Sequence, residues 1–444
     1  MDVSKVYQYA VKSVPMMPRA LIGPGAAELA GAEAAGMGLK HVLFVTSGLR
    51  GTGIIDEMKS IFEKAGVAVS IYDKVESNPK DYNCMDAYKM YIDDKCDGFV
   101  SIGGGSSHDA TKGARVVATH DGRNINEFEG WSKSDRPNRP PHIAINTTVG
   151  TGSETSAAYV ITDTSSPKAP YKWVAVDFPS LATLAINDPA LFTTLPPEFI
   201  AFTGFDTIAH ASECYTSNID HPLANPIALQ AVKLASENLR EAYANPKNYD
   251  AMMNMIWAEY TAAYAFMSGF LGIIHSLSHA VCAYYDIHHG LNNAVGIARV
   301  WEFNLPSSPR KFADLARAMG EDTTGLSNVQ AADRAIDAAI RLARDVRIPE
   351  NFSSVKPYPK SRIGTGWYSN RPKEIRSDEA EIEKLAHHLM NDVCTPFNPR
   401  IVTMEDASQI LRDCIYAPMG RNSHATTHEG VNGKREVAAA GATS

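Results

Sequence analysis

Through its first 187 residues the chain alternates short β-branched runs with stretches of helical period. The runs are "HVLFVTSG", "VAVSIYDKV", "DGFVSIGGG" and "PHIAINTTVG"; among them "GTGIIDEMKSIFEKAG" and "CMDAYKMYIDDK" repeat apolar residues every three or four positions. Strands that alternate with helices pair in parallel, because each helix carries the chain back across the sheet. From "DPALFTTLPPEFIAFTGFDTIAHASECY" onward helical periods dominate and strand signals nearly vanish. The pattern predicts an α/β dinucleotide-type domain with a parallel sheet over residues 1–187 and an all-helical domain over residues 188–425. Two segments depart from it. Residues 353–379, rich in proline, glycine, serine and charge, read as a long surface excursion, and residues 426–444 read as a flexible tail.

Between Tyr260 and Tyr285 there is no Asp, Glu, Lys or Arg, a run longer than the roughly 20 apolar residues that cross a bilayer. Two imidazoles, several serines, Gly269 and Gly272 interrupt it, and no basic flank or second such run accompanies it. A buried core helix carrying a polar site is expected, not a membrane span. The 444 residues suffice for two full cores. A net charge of -8 supplies no basic surface to follow a phosphate backbone, which argues against nucleic acid and for small solutes as partners. Six scattered cysteines without a CxxC pair predict reduced thiols in a cytoplasm. The amino-terminal "MDVSKVYQYAVKSVPMMPRA" lacks the apolar core and cleavage site of a secretory signal.

Candidate chemistry lies in two kinds of segment. "DGFVSIGGGSSHDATKGARVVA" puts Gly103, Gly104 and Gly105 directly after a strand and before a helix, where backbone N–H groups and the helix's positive end can cradle a pyrophosphate. Ser106, Ser107 or Asp109 is expected to cap that helix. The spacing does not fit GxxxxGK[ST], which disfavours a nucleotide triphosphatase. "PHIAINTTVGTGSETS" is a second strand running into glycine and hydroxyl residues, with Thr147, Thr148, Thr151 and Ser153 as donors. Two such loops in one α/β domain favour a dinucleotide. Ser47, with Arg50 close by, stands where an acid often accepts the adenosine ribose of NAD, which weakly favours NADP.

The other kind is rich in histidine. "GIIHSLSHAVCAYYDIHHG" holds four of the chain's fourteen histidines, with His275 and His279 one helical turn apart. Any one buried histidine can be a hydrogen-bonded core residue; four so close together suggest a site. "GFDTIAHASECY" adds Asp206 and His210, again four apart. Three or four nitrogen and oxygen ligands without cysteine suit iron(II) or zinc as a Lewis acid. On spacing alone Asp206, His210, His275 and His279 form the simplest two-helix set, with His289 as competitor for the fourth place.

Taken together, "GGGSSHDATKG", "TTVGTGSE", "GFDTIAHASECY", "GIIHSLSHAVCAYYDIHHGLNNA" and "DVCTPFNPR" resemble the iron-containing, or group III, alcohol dehydrogenases along nearly the whole chain. The resemblance implies that family's architecture, shared broadly with dehydroquinate synthase. It also implies metal ligation by Asp206, His210, His275 and His289, with His279 off the metal near substrate and nicotinamide. It places Asn78, Gly105, Ser106, Asp109, Thr147, Thr148, Thr151 and Lys172 on the dinucleotide, and Phe266 and Cys394 in the alcohol pocket. The family's acid after the first strand is Ser47 here, leaving NAD and NADP both open. In length and motif wording the chain is most similar to the nicotinoprotein methanol dehydrogenases assayed with N,N-dimethyl-4-nitrosoaniline. That likeness implies permanently held NADP(H) or NAD(H), one Fe2+ or Zn2+ per subunit with Mg2+ as a further candidate, and a large homo-oligomer, a decamer. The substrates would be methanol and other short primary alcohols, with an external acceptor or aldehyde reoxidising the cofactor and His279 relaying the proton. The rivals are a dehydrogenase with exchangeable coenzyme, a lyase of the dehydroquinate synthase type, and a metal hydrolase whose glycine loops bind substrate phosphate.

Overall fold

The computed structural model describes residues 12–136, 139–356, 375 and 378–420. Most of the 353–379 excursion and the whole 426–444 tail lie outside these residues. The first half runs β1 (Arg19–Ile22), α1 (Ala30–Gly36), β2 (His41–Thr46), α2 (Ile54–Lys64), β3 (Ala68–Tyr72), α3 (Asp81–Asp93), β4 (Gly98–Gly103) and α4 (Gly105–Thr119). It continues through β5 (Gly130–Trp131), β6 (His142–Asn146), β7 (Ala158–Asp163), β8 (Tyr171–Val176) and β9 (Leu184–Asn187). Helices follow: α5 (Pro197–Thr216), α6 (Ala224–Ala244), α7 (Tyr249–Gly269), α8 (Ile273–Tyr285) and α9 (His289–Asn304). The last are α10 (Pro309–Ala318), α11 (Asn328–Asp345), α12 (Glu379–Asn391) and α13 (Met404–Tyr416).

Six strands form one parallel sheet in the order β1-β9-β6-β4-β2-β3. Every residue of β4 and β6 is buried, as strands covered on both faces must be, while β3 at the edge is only partly covered. Helix α2 turns Ile54, Met58 and Phe62, spaced four apart, toward the sheet, and Phe62 meets Phe44 of β2 edge-on at 5.0 Å. From β2 the chain goes outward to β3 and then returns to β4 on the other side of β2. The strand order therefore reverses between β2 and β4, where α/β folds open a crevice at the carboxyl ends of their strands.

The parallel sheet and the helical second half are as the hydrophobic pattern predicts. The pattern does not predict a second sheet, β5-β8-β7, in which β7 and β8 run antiparallel from Ala158↔Val176 to Asp163↔Tyr171. The apolar 260–285 run also proves to be two helices. Helix α7 stops at Gly269, Phe270 takes a left-handed φ of 60°, and α8 leaves at 104° to α7. Helix α7 packs on α5 and α6, and α8 on α9 and α12. No single helix among the described residues is long and apolar enough to cross a membrane.

Candidate active site

One cleft gathers residues from both halves. Ser47, Asn78, Gly104, Gly105, Ser106, Asp109, Thr148, Thr151 and Lys172 line it from the α/β half; Asp206, His210, Phe266, His275, His279, His289 and Cys394 line it from the helical half. Gly103 and Thr147 stand behind this lining, where the Thr147 N–H donates to the Gly103 carbonyl at 3.0 Å and ties the two loops together. Gly104 is the N-cap of α4, with no side-chain cap. A Cβ there would lie 2.6 Å from the Thr148 methyl, so only glycine lets the two loops approach this closely. The expected capping by Ser106, Ser107 or Asp109 is not found, because α4 starts early enough to put all three inside it. The Asp109 carboxylate instead accepts from the Ser153 hydroxyl at 2.5 Å and the Val160 N–H at 3.0 Å, joining α4 to the second loop and to β7. The uncapped first turn of α4 leaves N–H groups and the positive end of the helix facing the cleft, as an anionic phosphate requires.

At the other end Asp206 and His210 project from α5, His275 from α8 and His289 from the first turn of α9. Asp206 Oδ1 lies 3.6 Å from His275 Nε2, 3.6 Å from His289 Nε2 and 3.7 Å from His210 Nδ1, and one ligand atom from each of Asp206, His210 and His275 falls within 4.8 Å of the others. Each imidazole is fixed through Nδ1. His275 Nδ1 meets Glu213 Oε2 at 2.5 Å, His289 Nδ1 meets the Ser278 hydroxyl at 2.7 Å, and His210 Nδ1 meets the Gly150 carbonyl at 3.1 Å. That leaves three Nε2 atoms and the buried, unpartnered Asp206 Oδ2 as a donor set. Asn293, one turn beyond His289, donates to Asp206 Oδ1 at 2.6 Å and so orients the carboxylate.

His279 takes a different partner. Its Nδ1 bonds Asp392 Oδ2 at 2.8 Å, and the other Asp392 oxygen accepts from the Cys394 N–H at 2.9 Å and the Ser276 hydroxyl at 3.1 Å. Burial tends to raise the Asp392 pKa, but His279, the Cys394 N–H and His388 outweigh it and bring it down to about 2. His288 also lines the cleft, but its ring packs against Phe199 at 5.2 Å and Phe202 at 5.5 Å and joins none of these hydrogen bonds. Phe266 stacks on His210 at 4.7 Å and, with Leu271 and Cys394, walls the cleft beside the histidines. All six cysteines are free and buried.

Glu213, Asp392 and Asn293 were not expected from the sequence. Glu213 had a signal: with Asp206 and His210 it stands at positions i, i+4 and i+7 of one helical face. Burial lowers the His275 pKa, but Glu213 and Asp206 together overcome it and raise it to about 9. An ion entering the site at neutral pH must then displace a proton. Calorimetry of zinc binding at pH 7, in buffers of different ionisation enthalpy, is expected to show about one proton released per ion, fading as the pH passes 9. Glu213→Gln should abolish that release at pH 7 and weaken zinc binding by about 10–100-fold.

Comparison with known proteins agrees with this geometry. Residues 18–189 match the family described as iron-containing alcohol dehydrogenase, and residues 200–415 match the carboxy-terminal part of the Fe-containing alcohol dehydrogenase family. The chain is 51% identical over 416 residues to the methanol:N,N-dimethyl-4-nitrosoaniline oxidoreductase of Rhodococcus erythropolis, covering 93% of this chain and 98% of that one. It is 36% identical over 399 residues to the NAD-dependent methanol dehydrogenase of Bacillus methanolicus, covering 90% and 98%. The crystal structure of a 1,3-propanediol oxidoreductase superposes with a TM-score of 0.82 at 34% identity, covering 91% of this chain and all of that one. The chain belongs to the iron-containing alcohol dehydrogenase family.

Proposed function

We propose that this enzyme oxidises methanol and other short primary alcohols to aldehydes, using a tightly held NADP(H) or NAD(H) that an external acceptor or aldehyde reoxidises in place. The observation that carries the reading is the convergence, at one end of a glycine-loop cleft, of the Asp206 carboxylate with three imidazoles already engaged through Nδ1. A hard oxygen and three neutral nitrogens fit a divalent iron or zinc ion. In this reading Asp206, His210, His275 and His289 hold the ion. The loops after β2, β4 and β6, with Asn78 and Lys172, hold the dinucleotide, and the chain divides near residue 187. When bound, the ion supplies Lewis-acid polarisation of the alcohol oxygen and the nicotinamide supplies the hydride acceptor.

The chain's own residues do the remainder. Phe266, Leu271 and Cys394 exclude water and leave room for a short alkyl group beside the histidines. Burial keeps the His279 imidazole neutral near pH 7, ready to take the hydroxyl proton at Nε2. Asp392, bonded to Nδ1, fixes that tautomer and steadies the imidazolium that results. A large homo-oligomer, a decamer by likeness to the nitrosoaniline-dependent enzymes, and a cytoplasmic location belong to the same proposal.

The test is to purify the protein without added cofactor, desalt it, denature it and identify what it releases by mass spectrometry, alongside a methanol assay with N,N-dimethyl-4-nitrosoaniline. Stoichiometric nicotinamide dinucleotide with metal, and turnover with the acceptor, are expected. Metal without nucleotide, together with fast turnover on free NAD or NADP, would replace the nicotinoprotein reading with that of an ordinary dehydrogenase. No alcohol oxidation under either condition would overturn both.

A further inference from the structure

Beside His288 and His289 the two halves of the chain are tied by side chains at the edge of the cleft, some in its lining and some just outside it. Asn78 and Lys80 come from the segment between β3 and α3. Asp286 is the C-cap of α8 and opens the turn 286–288 that delivers His289 to the site. Asp286 Oδ1 accepts from Lys80 Nζ at 2.9 Å and from Asn78 Nδ2 at 3.2 Å. Asn78 Nδ2 also reaches the Ile287 carbonyl at 3.4 Å, and Asn78 Oδ1 accepts from Lys172 Nζ at 2.9 Å.

Two features separate this contact from an ordinary surface pair. The Lys80 and Asp286 side chains are only 12% and 21% exposed, so water and salt screen them little. Asn78 and Asp286 also both adopt left-handed backbone, with φ of 52° and 58°, which Asn and Asp tolerate better than most side chains. Asn78, with Ser77 and Pro79, lines the cleft, whereas Lys80 and Asp286 do not. The pair thus touches the binding surface only through its neighbours.

We infer that Lys80 and Asp286 are cofactor-retention residues: the pair latches the α/β half to the His289 turn, and a dinucleotide leaves the cleft only when the pair opens. The inference rests on the reading of the cleft as a dinucleotide site, and it gives that reading a physical cause for tight retention. Opening the cleft means breaking a shielded, charge-assisted bond together with the Asn78 contacts that share its acceptor.

The experiment compares wild type with Lys80→Met, Asp286→Asn, the double variant and Lys80→Arg. Each is produced in cells fed radiolabelled nicotinic acid so that the nucleotide it carries is labelled, is loaded with zinc, and is chased with unlabelled NAD+ and, in parallel, NADP+. The single charge-removing variants are expected to release label roughly 10–100-fold faster. The double variant should be no faster than the faster single, because one interaction is lost in all three. Lys80→Arg should stay slow, metal content should be unchanged in every variant, and melting should fall by only the few degrees that loss of one such pair accounts for. Wild-type release rates in both single variants would overturn the inference, as would an additive double variant. Loss of metal at an unchanged release rate would overturn it too, assigning the pair to the His289 turn alone. If wild type binds neither nucleotide, the dinucleotide reading fails first, and that result is visible without any variant.

Discussion

Replacing His275 by alanine is expected to remove the metal and the activity together, with kcat/KM falling by roughly 10³-fold or more, the rate equivalent of the several kcal/mol that a Lewis acid supplies. The loss is large because His275 serves two carboxylates as well as an ion. Its Nδ1 meets Glu213 at 2.5 Å and its Nε2 lies 3.6 Å from Asp206, so alanine leaves two buried acids facing a void. Removing one partner of a buried charged set costs about 3–5 kcal/mol, and a lower melting temperature should accompany the lost metal. His279→Ala is the paired control one turn away. Its Nδ1 belongs to Asp392, so that variant should keep its metal while losing about 10²–10⁴-fold in turnover. Metal analysis with steady-state kinetics on both variants decides the matter: stoichiometric metal and full turnover in His275→Ala would sink the ligand assignment.

The contrast between these two histidines shows where sequence reasoning stops. Their spacing puts them on one face of α8, and the paired Asp206 and His210 on one face of α5 are equally legible, because helical geometry is local. What each imidazole does depends on partners far along the chain. The hydrogen bond that engages His279 comes from Asp392, 113 positions later, and the one that orients His275 comes from Glu213, 62 positions earlier. Spacing alone therefore favours His279 as the fourth ligand, with His289 only as its competitor. The same limit explains the smaller misses. The main sheet was legible because a run such as β4, buried on both faces, is apolar at nearly every position, with only the hydrogen-bonded Ser101 as a polar exception. The second sheet escaped because β5 has only two residues and β7 and β8 serve as a wall of the cleft. The α4 cap was misplaced because the deciding feature was room: Gly104 lies against Thr148, and the helix starts where that contact permits.

Room also decides the second large effect. Gly290 directly follows His289, and a Cβ at Gly290 would lie 2.3 Å from the Phe202 carbonyl oxygen, 2.7 Å from its carbon and 3.3 Å from Asp206 Cβ. Helix α9 thus meets α5 backbone against backbone at the level of Asp206. Neither side can yield by a rotamer change, since the first two neighbours are main-chain atoms of a helix buried along almost its whole length. Gly290→Ala must therefore move α9 outward by about 1 Å to restore ordinary contact, carrying His289 away from Asp206. Coordination tolerates displacements of only about 0.2 Å, and a 1 Å misplacement near reacting groups costs about 10²-fold. The expected variant folds with about 1–3 kcal/mol less stability, binds zinc weakly and loses roughly 10²-fold in kcat/KM. Gly296→Ala on the same helix is the control. Its nearest neighbour would be a Leu277 methyl at 3.4 Å, so the helix-forming preference of alanine should leave stability unchanged or raised by up to about 1 kcal/mol, with metal retained. Thermal melting and zinc titration of both variants separate crowding from a general dislike of substitution in α9. If Gly290→Ala holds zinc as tightly as wild type, the backbone contact between α5 and α9 is not what sets His289 against Asp206.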